Sequence, residues 1–111
     1  MTIKKDIENT LNHIIKKLDD SKLKSIFANY TKNMQFTFPD LNTSYVIIVK
    51  NGKVESLTEN KIETPDIHIT IKSGIFLDII NKKITPIKAY TTGKLKAKGK
   101  FSDILKLQKL L

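Results

Sequence analysis

Residues 84–111 read ITPIKAYTTGKLKAKGKFSDILKLQKLL, and their order decides the fold. Pro86 suits the first turn of a short helix, and Gly93 suits its end. From residue 94 to residue 100 every second residue is lysine, with Leu95, Ala97 and Gly99 between them. Successive strand side chains point to opposite faces, so this is a strand with one charged and one apolar face. The apolar face shrinks from Leu to Ala to Gly, which predicts room above the sheet at this strand. Ser102 then caps an amphipathic helix. Ile104, Leu107, Gln108 and Leu111 mark one face of it, and Leu105 and Leu110 widen that face.

The rest of the chain supplies the layers on either side of that room. Ile3, Ile7, Leu11, Ile14, Ile15 and Leu18 recur at helical spacing, with Thr2 as the cap. Ser21 predicts the cap of a second helix carrying Leu23, Ile26, Phe27 and Tyr30. Phe36 and Phe38 then alternate with Gln35 and Thr37 as a strand that ends at Pro39-Asp40. Residues 45–50 and 53–58 form a hairpin, because Asn51-Gly52 supplies the positive φ of a type I′ turn. Thr64-Pro65-Asp66 leads into a strand with Ile67, Ile69 and Ile71 on one face and His68 and Thr70 on the other. Ser73 predicts the cap of a helix with Ile75, Phe76, Ile79 and Ile80.

The element order is therefore two helices, four strands, two helices, one strand and one helix. Strands joined by tight turns predict an antiparallel meander, and segregated helices predict an α+β two-layer domain spanning residues 1–111. The fifth strand must pair at an edge or insert. All helices need the apolar sheet face formed by Phe36, Phe38, Ile47, Val49, Ile69, Ile71, Leu95 and Ala97.

Composition narrows the function. The hydrophobic fraction is 40% and the charged fraction 28% of 111 residues, which describes a globular domain. No apolar run approaches the ~20 residues of a membrane span. The opening residues lack the hydrophobic centre of a signal peptide, so a cytoplasmic location is expected. Without cysteine there is no disulfide and no thiol chemistry. The two histidines, His13 on a helix shoulder and His68 on an outer strand face, read as solvated, and neither has a partner at metal-ligand spacing. Four glycines without a G-x-G pattern make no phosphate loop. The chain carries no catalytic apparatus, and neither a cofactor nor a metal is expected.

The net charge is +9 and every one of the 20 basic residues is lysine. Arginine is the usual reader of phosphate and guanine, so specific nucleic-acid binding is not expected. Attraction to anionic membrane surfaces is the better use of such a charge.

These residues resemble the sterol carrier protein type 2 domain, the non-specific lipid-transfer family. Asn51-Gly52-Lys53-Val54 and residues 65–70, PDIHIT, carry part of the likeness. Residues 89–99, AYTTGKLKAKG, followed by Lys106-Leu107-Gln108, carry most of it. The resemblance implies a five-stranded, mostly antiparallel sheet covered on one face by helices, with a hydrophobic tunnel between the layers. It implies non-catalytic binding and carriage of fatty acids, fatty acyl-CoA, phospholipid or isoprenoid and sterol-like lipids. By position, the lipid-binding wall is Phe36, Phe38, Ile69, Phe76, Ile80, Tyr90, Leu95 and Ala97, closed by Ile104, Leu107, Gln108 and Leu111. The chain departs from eukaryotic relatives in ending Lys109-Leu110-Leu111 rather than with a peroxisomal Ser-Lys-Leu. A monomer or weak dimer is expected. The alternative reading is an accessory module whose apolar groove holds a partner protein or enzyme.

Overall fold

A computed structural model of the chain describes residues 4–17, 27–109 and 111. Helix α1 spans Lys4–Lys17, and strand β1 spans Lys32–Phe38. A 3-10 turn at Pro39–Leu41 leads to β2, Thr43–Lys50, and β3, Lys53–Glu59. Strand β4 is Ile67–Ile71, helix α2 is Ser73–Ile80, and helix α3 is Pro86–Thr91. Strand β5, Leu95–Lys98, and helix α4, Phe101–Gln108, complete the described elements. Thr2, Ile3, Leu18, Ser21, Leu23, Ile26 and Leu110 lie outside the described residues, and with them most of the second expected helix. Phe27 and Tyr30 are buried, their rings edge to face at 5.4 Å.

The sheet order is β3-β2-β1-β4-β5. The hairpin is as its turn chemistry demands: Asn51 and Gly52 have φ of 52° and 79°. The first three strands form the expected antiparallel meander, but β4 does not continue it. It pairs parallel to the far side of β1, with Met34 opposite Ile67 and Phe36 opposite Ile69. The connection from β3 to β4 must therefore cross β2 and β1, and the amide of Ile62 donates to Gln35 Oε1 at 2.8 Å on the face away from the helices. Parallel pairing always requires such a crossing. β5 pairs antiparallel with β4 at the edge, Ile69 opposite Ala97 and Ile71 opposite Leu95.

One sheet face holds the core. Met34, Phe36, Phe38, Tyr45, Ile47, Val49, Ile67, Ile69 and Ile71 bury against Ile7, Leu11 and Ile14 of α1 and Phe76 and Ile79 of α2. α1 is pinned at the β2–β3 side, where Tyr45 donates from its hydroxyl to Glu8 Oε2 at 2.9 Å and Lys4 meets Glu59 at 2.6 Å. Phe76 sits 5.3 Å from Phe38 and 6.0 Å from Phe36, in the range where ring pairs add ~0.5–1.5 kcal/mol each beyond burial.

Two expected caps differ. Ser73 is the first residue of α2 rather than its cap. Its amide donates to Asp40 Oδ1 at 2.9 Å, and its hydroxyl donates to Asp40 Oδ2. The carboxylate after β1 thus closes the start of a helix 33 residues later. Ser102 lies inside the first turn of α4, where Lys100 is the cap residue and gives the helix no side-chain capping hydrogen bond. The Thr85 hydroxyl does cap α3, accepting from the Lys88 amide at 3.1 Å.

Candidate functional site

The space above β5 is a groove. Leu95 is buried at its base, and α3 and α4 rise on its sides. Ile69, Pro86, Ile87, Tyr90, Leu95, Phe101, Ile104, Leu105, Leu107, Gln108 and Leu111 line a cavity of about 200 Å³ that opens to solvent. Among the described residues that line it, only Gln108 and Tyr90 carry side-chain polar groups. The local sequence explains each wall. Pro86 starts α3, and the chain turns at Gly93 (φ 78°), whose amide donates to the Tyr90 carbonyl at 3.2 Å while Lys94 donates to Ala89 at 2.8 Å. That turn brings Leu95 back beneath Ile87 and Tyr90. α4 places Ile104, Leu107 and Gln108 over the groove at helical spacing. Leu111 closes the far end, its amide donating to the Gln108 carbonyl at 3.2 Å and its carbonyl accepting from Lys82 Nζ at 3.5 Å.

The twelve residues read from sequence as the wall divide into two groups. Ile69, Tyr90, Leu95, Ile104, Leu107, Gln108 and Leu111 come together around the groove. Phe36, Phe38 and Phe76 do not. They are fully buried at the centre of the sheet, where the Phe76 ring meets those of Phe36 and Phe38. Ile80 and Ala97 are half-buried against that core and do not line the groove. The shrinking series Leu95, Ala97, Gly99 has a different cause at its last residue, which lies just past β5. Gly99 has φ of 140°, and a Cβ there would stand 2.6 Å from the Asp66 carbonyl oxygen. Glycine at 99 admits a close backbone approach; it does not open the cavity.

The sequence reading missed Ile87 and Phe101, and it treated Leu105 only as widening a helix face. Ile87 is 56% exposed, Tyr90 52%, Phe101 71% and Leu105 45%, so these four form an uncovered apolar rim. The signal for them is present: Ile87 and Tyr90 stand three apart, and Phe101 and Leu105 four apart.

His68 also differs from expectation. It is half-buried, and its Nε2 lies 2.9 Å from Thr37 Oγ1 and 3.4 Å from Gln35 Nε2. Thr37 in turn meets Ser44 Oγ at 2.9 Å. The β3–β4 crossing covers this outer face, and burial, with the charges of Lys98 and Lys61, holds the imidazole below its ordinary value. The network ties strands together, and no groove residue touches it. His13 is exposed. Among the described residues no group of three or more His, Cys, Asp or Glu is placed to hold a metal, and no helix is long and apolar enough to cross a membrane.

A profile described as the SCP-2 sterol transfer family matches residues 11–111. The chain belongs to that family. Its fold is that of sterol carrier protein 2 like 2 from Aedes aegypti, with a TM-score of 0.75 at 16% identity over 99% of this chain and 100% of that one. The sterol carrier protein domain 2 of Helicoverpa armigera gives a TM-score of 0.72 at 27% identity, over 93% of this chain and 82% of its own. The inverting sec-alkylsulfatase Pisa1 from Pseudomonas sp. contains the same fold, with a TM-score of 0.65 at 16% identity over 76% of this chain. This chain covers only 13% of that enzyme's length. No curated protein matches the chain.

Proposed function

We propose that this chain binds and carries single-chain apolar ligands, fatty acids or fatty acyl-CoA foremost, without transforming them. The observation that carries the reading is the groove between β5 and α4, whose walls offer almost no polar atom. Membership of the SCP-2 sterol transfer family supports it. Transfer of apolar ligand surface from water at about 25 cal/mol per Å² supplies the affinity, and it favours chain length over head-group identity. Pockets that enclose drug-sized ligands run ~300–1,000 Å³. A cavity of about 200 Å³ takes part of a chain and leaves the head group at the mouth. Gln108 and the Tyr90 hydroxyl are the polar groups of the lining that can meet it. The expected compartment is the cytoplasm.

The test is extraction of the purified protein with organic solvent and mass identification of what it held. Fatty acid or acyl-CoA is expected, at up to one molecule per chain. A protein that emerges empty, and takes up no fluorescent fatty acid when offered one, ends the proposal. A second reading is an accessory module that presents lipid to an enzyme. The occurrence of this fold inside the much longer Pseudomonas alkylsulfatase favours it. Copurification of a stoichiometric enzyme partner would support it over free carriage.

A further inference from the structure

The positive charge of this protein is not spread evenly. Residues 82–111 hold nine of the twenty lysines and one of the eleven acids, a balance of +8 within a chain total of +9. The single acid, Asp103, is buried beside Lys32 and offers no negative charge to the surface. The remaining residues are nearly neutral, although they carry the other eleven lysines. The charged segment is the one that builds the groove mouth. Ile87, Tyr90, Phe101 and Leu105 stand uncovered there, and Lys88, Lys100 and Lys109 are exposed beside them in the chain. Phe101, Leu105 and Lys109 follow one another at four-residue spacing, so an apolar row ends in a cation.

Edge protection explains part of the lysine pattern. Lys96 and Lys98 lie on an edge strand, where charge blocks pairing with another chain. It does not explain Lys88, Lys100 or Lys109, which lie outside the strands, nor four large apolar side chains left in water.

We infer that this rim is a docking surface for an anionic lipid bilayer. Phe101, Leu105, Ile87 and Tyr90 enter the interface, and the neighbouring lysines bind the acidic head groups. The inference rests on the carriage reading for its purpose, since it sets the groove mouth facing the membrane that supplies the ligand. Cations near an anionic surface and apolar side chains inserted at the acyl boundary are the two terms that hold proteins there. A protein partner would have to present acidic and apolar side chains together to meet the same surface, whereas an anionic bilayer offers both over its whole area.

The chain has no tryptophan, so Phe101→Trp installs a unique indole in the rim, excited apart from the three tyrosines. This variant is mixed with vesicles of phosphatidylcholine alone or with about a third phosphatidylglycerol. A blue shift with the anionic vesicles only, reversed by high salt, is expected. Reversing Lys88, Lys100 and Lys109 to Glu in that background should weaken vesicle binding tenfold or more. Fatty-acid affinity without vesicles is measured on the same three reversals made in the wild-type chain, with Phe101 intact, and should not change. An emission maximum unmoved by anionic vesicles, equal shifts with both vesicles, or undiminished binding after charge reversal overturns the docking surface. Fatty-acid uptake with no vesicle response leaves carriage standing and removes docking. A vesicle response without any fatty-acid uptake does the opposite.

Discussion

Lys32 Nζ lies 3.4 Å from Asp103 Oδ2, joining β1 to the helix that walls the groove. The two ends of this pair are not equivalent. The Asp103 side chain is 7% exposed and that of Lys32 27%. Beside them the Tyr30 phenol is pushed up, first by burial and then by the Asp103 charge. Lys106 Nζ stands 5.1 Å from the centre of the Tyr30 ring. Removing the lysine strands a buried carboxylate, whereas removing the carboxylate leaves a lysine that can hydrate. Lys32→Met is therefore expected to cost roughly 2–4 kcal/mol, and Asp103→Asn about 1 kcal/mol. Urea unfolding of both variants checks this, and the reverse order would show that the pair does not anchor α4.

Asp40 holds the start of α2 through the amide and hydroxyl of Ser73. Asp40→Ala removes a helix cap, so a loss of about 0.5–2 kcal/mol is expected. Burial would raise this carboxyl, but the hydrogen bonds from Ser73 outweigh it and hold it below its ordinary value. The contribution is present in full above the usual aspartate value of ~3.9, and it is lost as pH falls through the lowered folded value. Acid titration of wild type and Asp40→Ala should show the two stabilities converging at low pH. Parallel curves would remove the carboxylate from the cap.

The strands and the Asn51-Gly52 turn were legible because alternation and turn chemistry are local. The parallel placement of β4 was not, because the loop after β3 carries no local mark of which side of β1 it will reach. That one choice also hid the burial of His68 and Gln35, since both are covered by the crossing it creates. The same limit applies to the capping of α2. Ser73 has the right residue type and position, but the carboxylate that does the work lies far back in sequence. At the site, inward alternation placed Ile69 and Leu95 at the groove, and helix periodicity placed Ile104, Leu107 and Gln108. Alternation alone could not tell that Phe36, Phe38 and Phe76 would pack together at the sheet centre, away from the groove. Nor could the Leu-Ala-Gly series reveal that its glycine answers the Asp66 backbone.

His68 gives a second pH dependence of stated sign. Burial first, and Lys98 and Lys61 after it, depress the folded value of the imidazole. The unfolded chain then binds a proton more readily, so stability is full above the ordinary histidine value of ~6.5 and declines as pH falls from there through the depressed folded value. His68→Gln should flatten this part of the profile while keeping a hydrogen-bond partner for Thr37. Urea midpoints at pH 7.5 and 5.5 measure the difference. A variant as pH-sensitive as wild type would place the titration elsewhere.

Gly99 should tolerate no side chain. Its φ of 140° is one that L-residues rarely adopt, and a Cβ would meet backbone oxygen rather than a yielding side chain. Gly99→Ala is expected to cost about 1–3 kcal/mol through strain. The cost should also appear as faster amide exchange at residues 66–68, where β4 begins against it. A neutral substitution with unchanged exchange would mean that the chain relaxes at Asp66 without loss.

Leu107 tests whether the groove is a ligand site or merely an imperfect seam. It is buried in the core cluster and also lines the groove, so it belongs to both. Leu107→Ala enlarges the cavity and is expected to cost ~2–5 kcal/mol in the empty protein. A ligand chain that enters the new space recovers part of that loss, because binding to the folded state stabilises it by mass action. The variant should thus gain more thermal stability from a saturating long-chain fatty acid than wild type does. Its preference should also move toward longer chains, at about 0.8 kcal/mol for each added methylene that becomes buried. Thermal melts of both proteins across a series of fatty acids measure this. A variant destabilised to the same extent with and without every chain length would mean that Leu107 faces only protein.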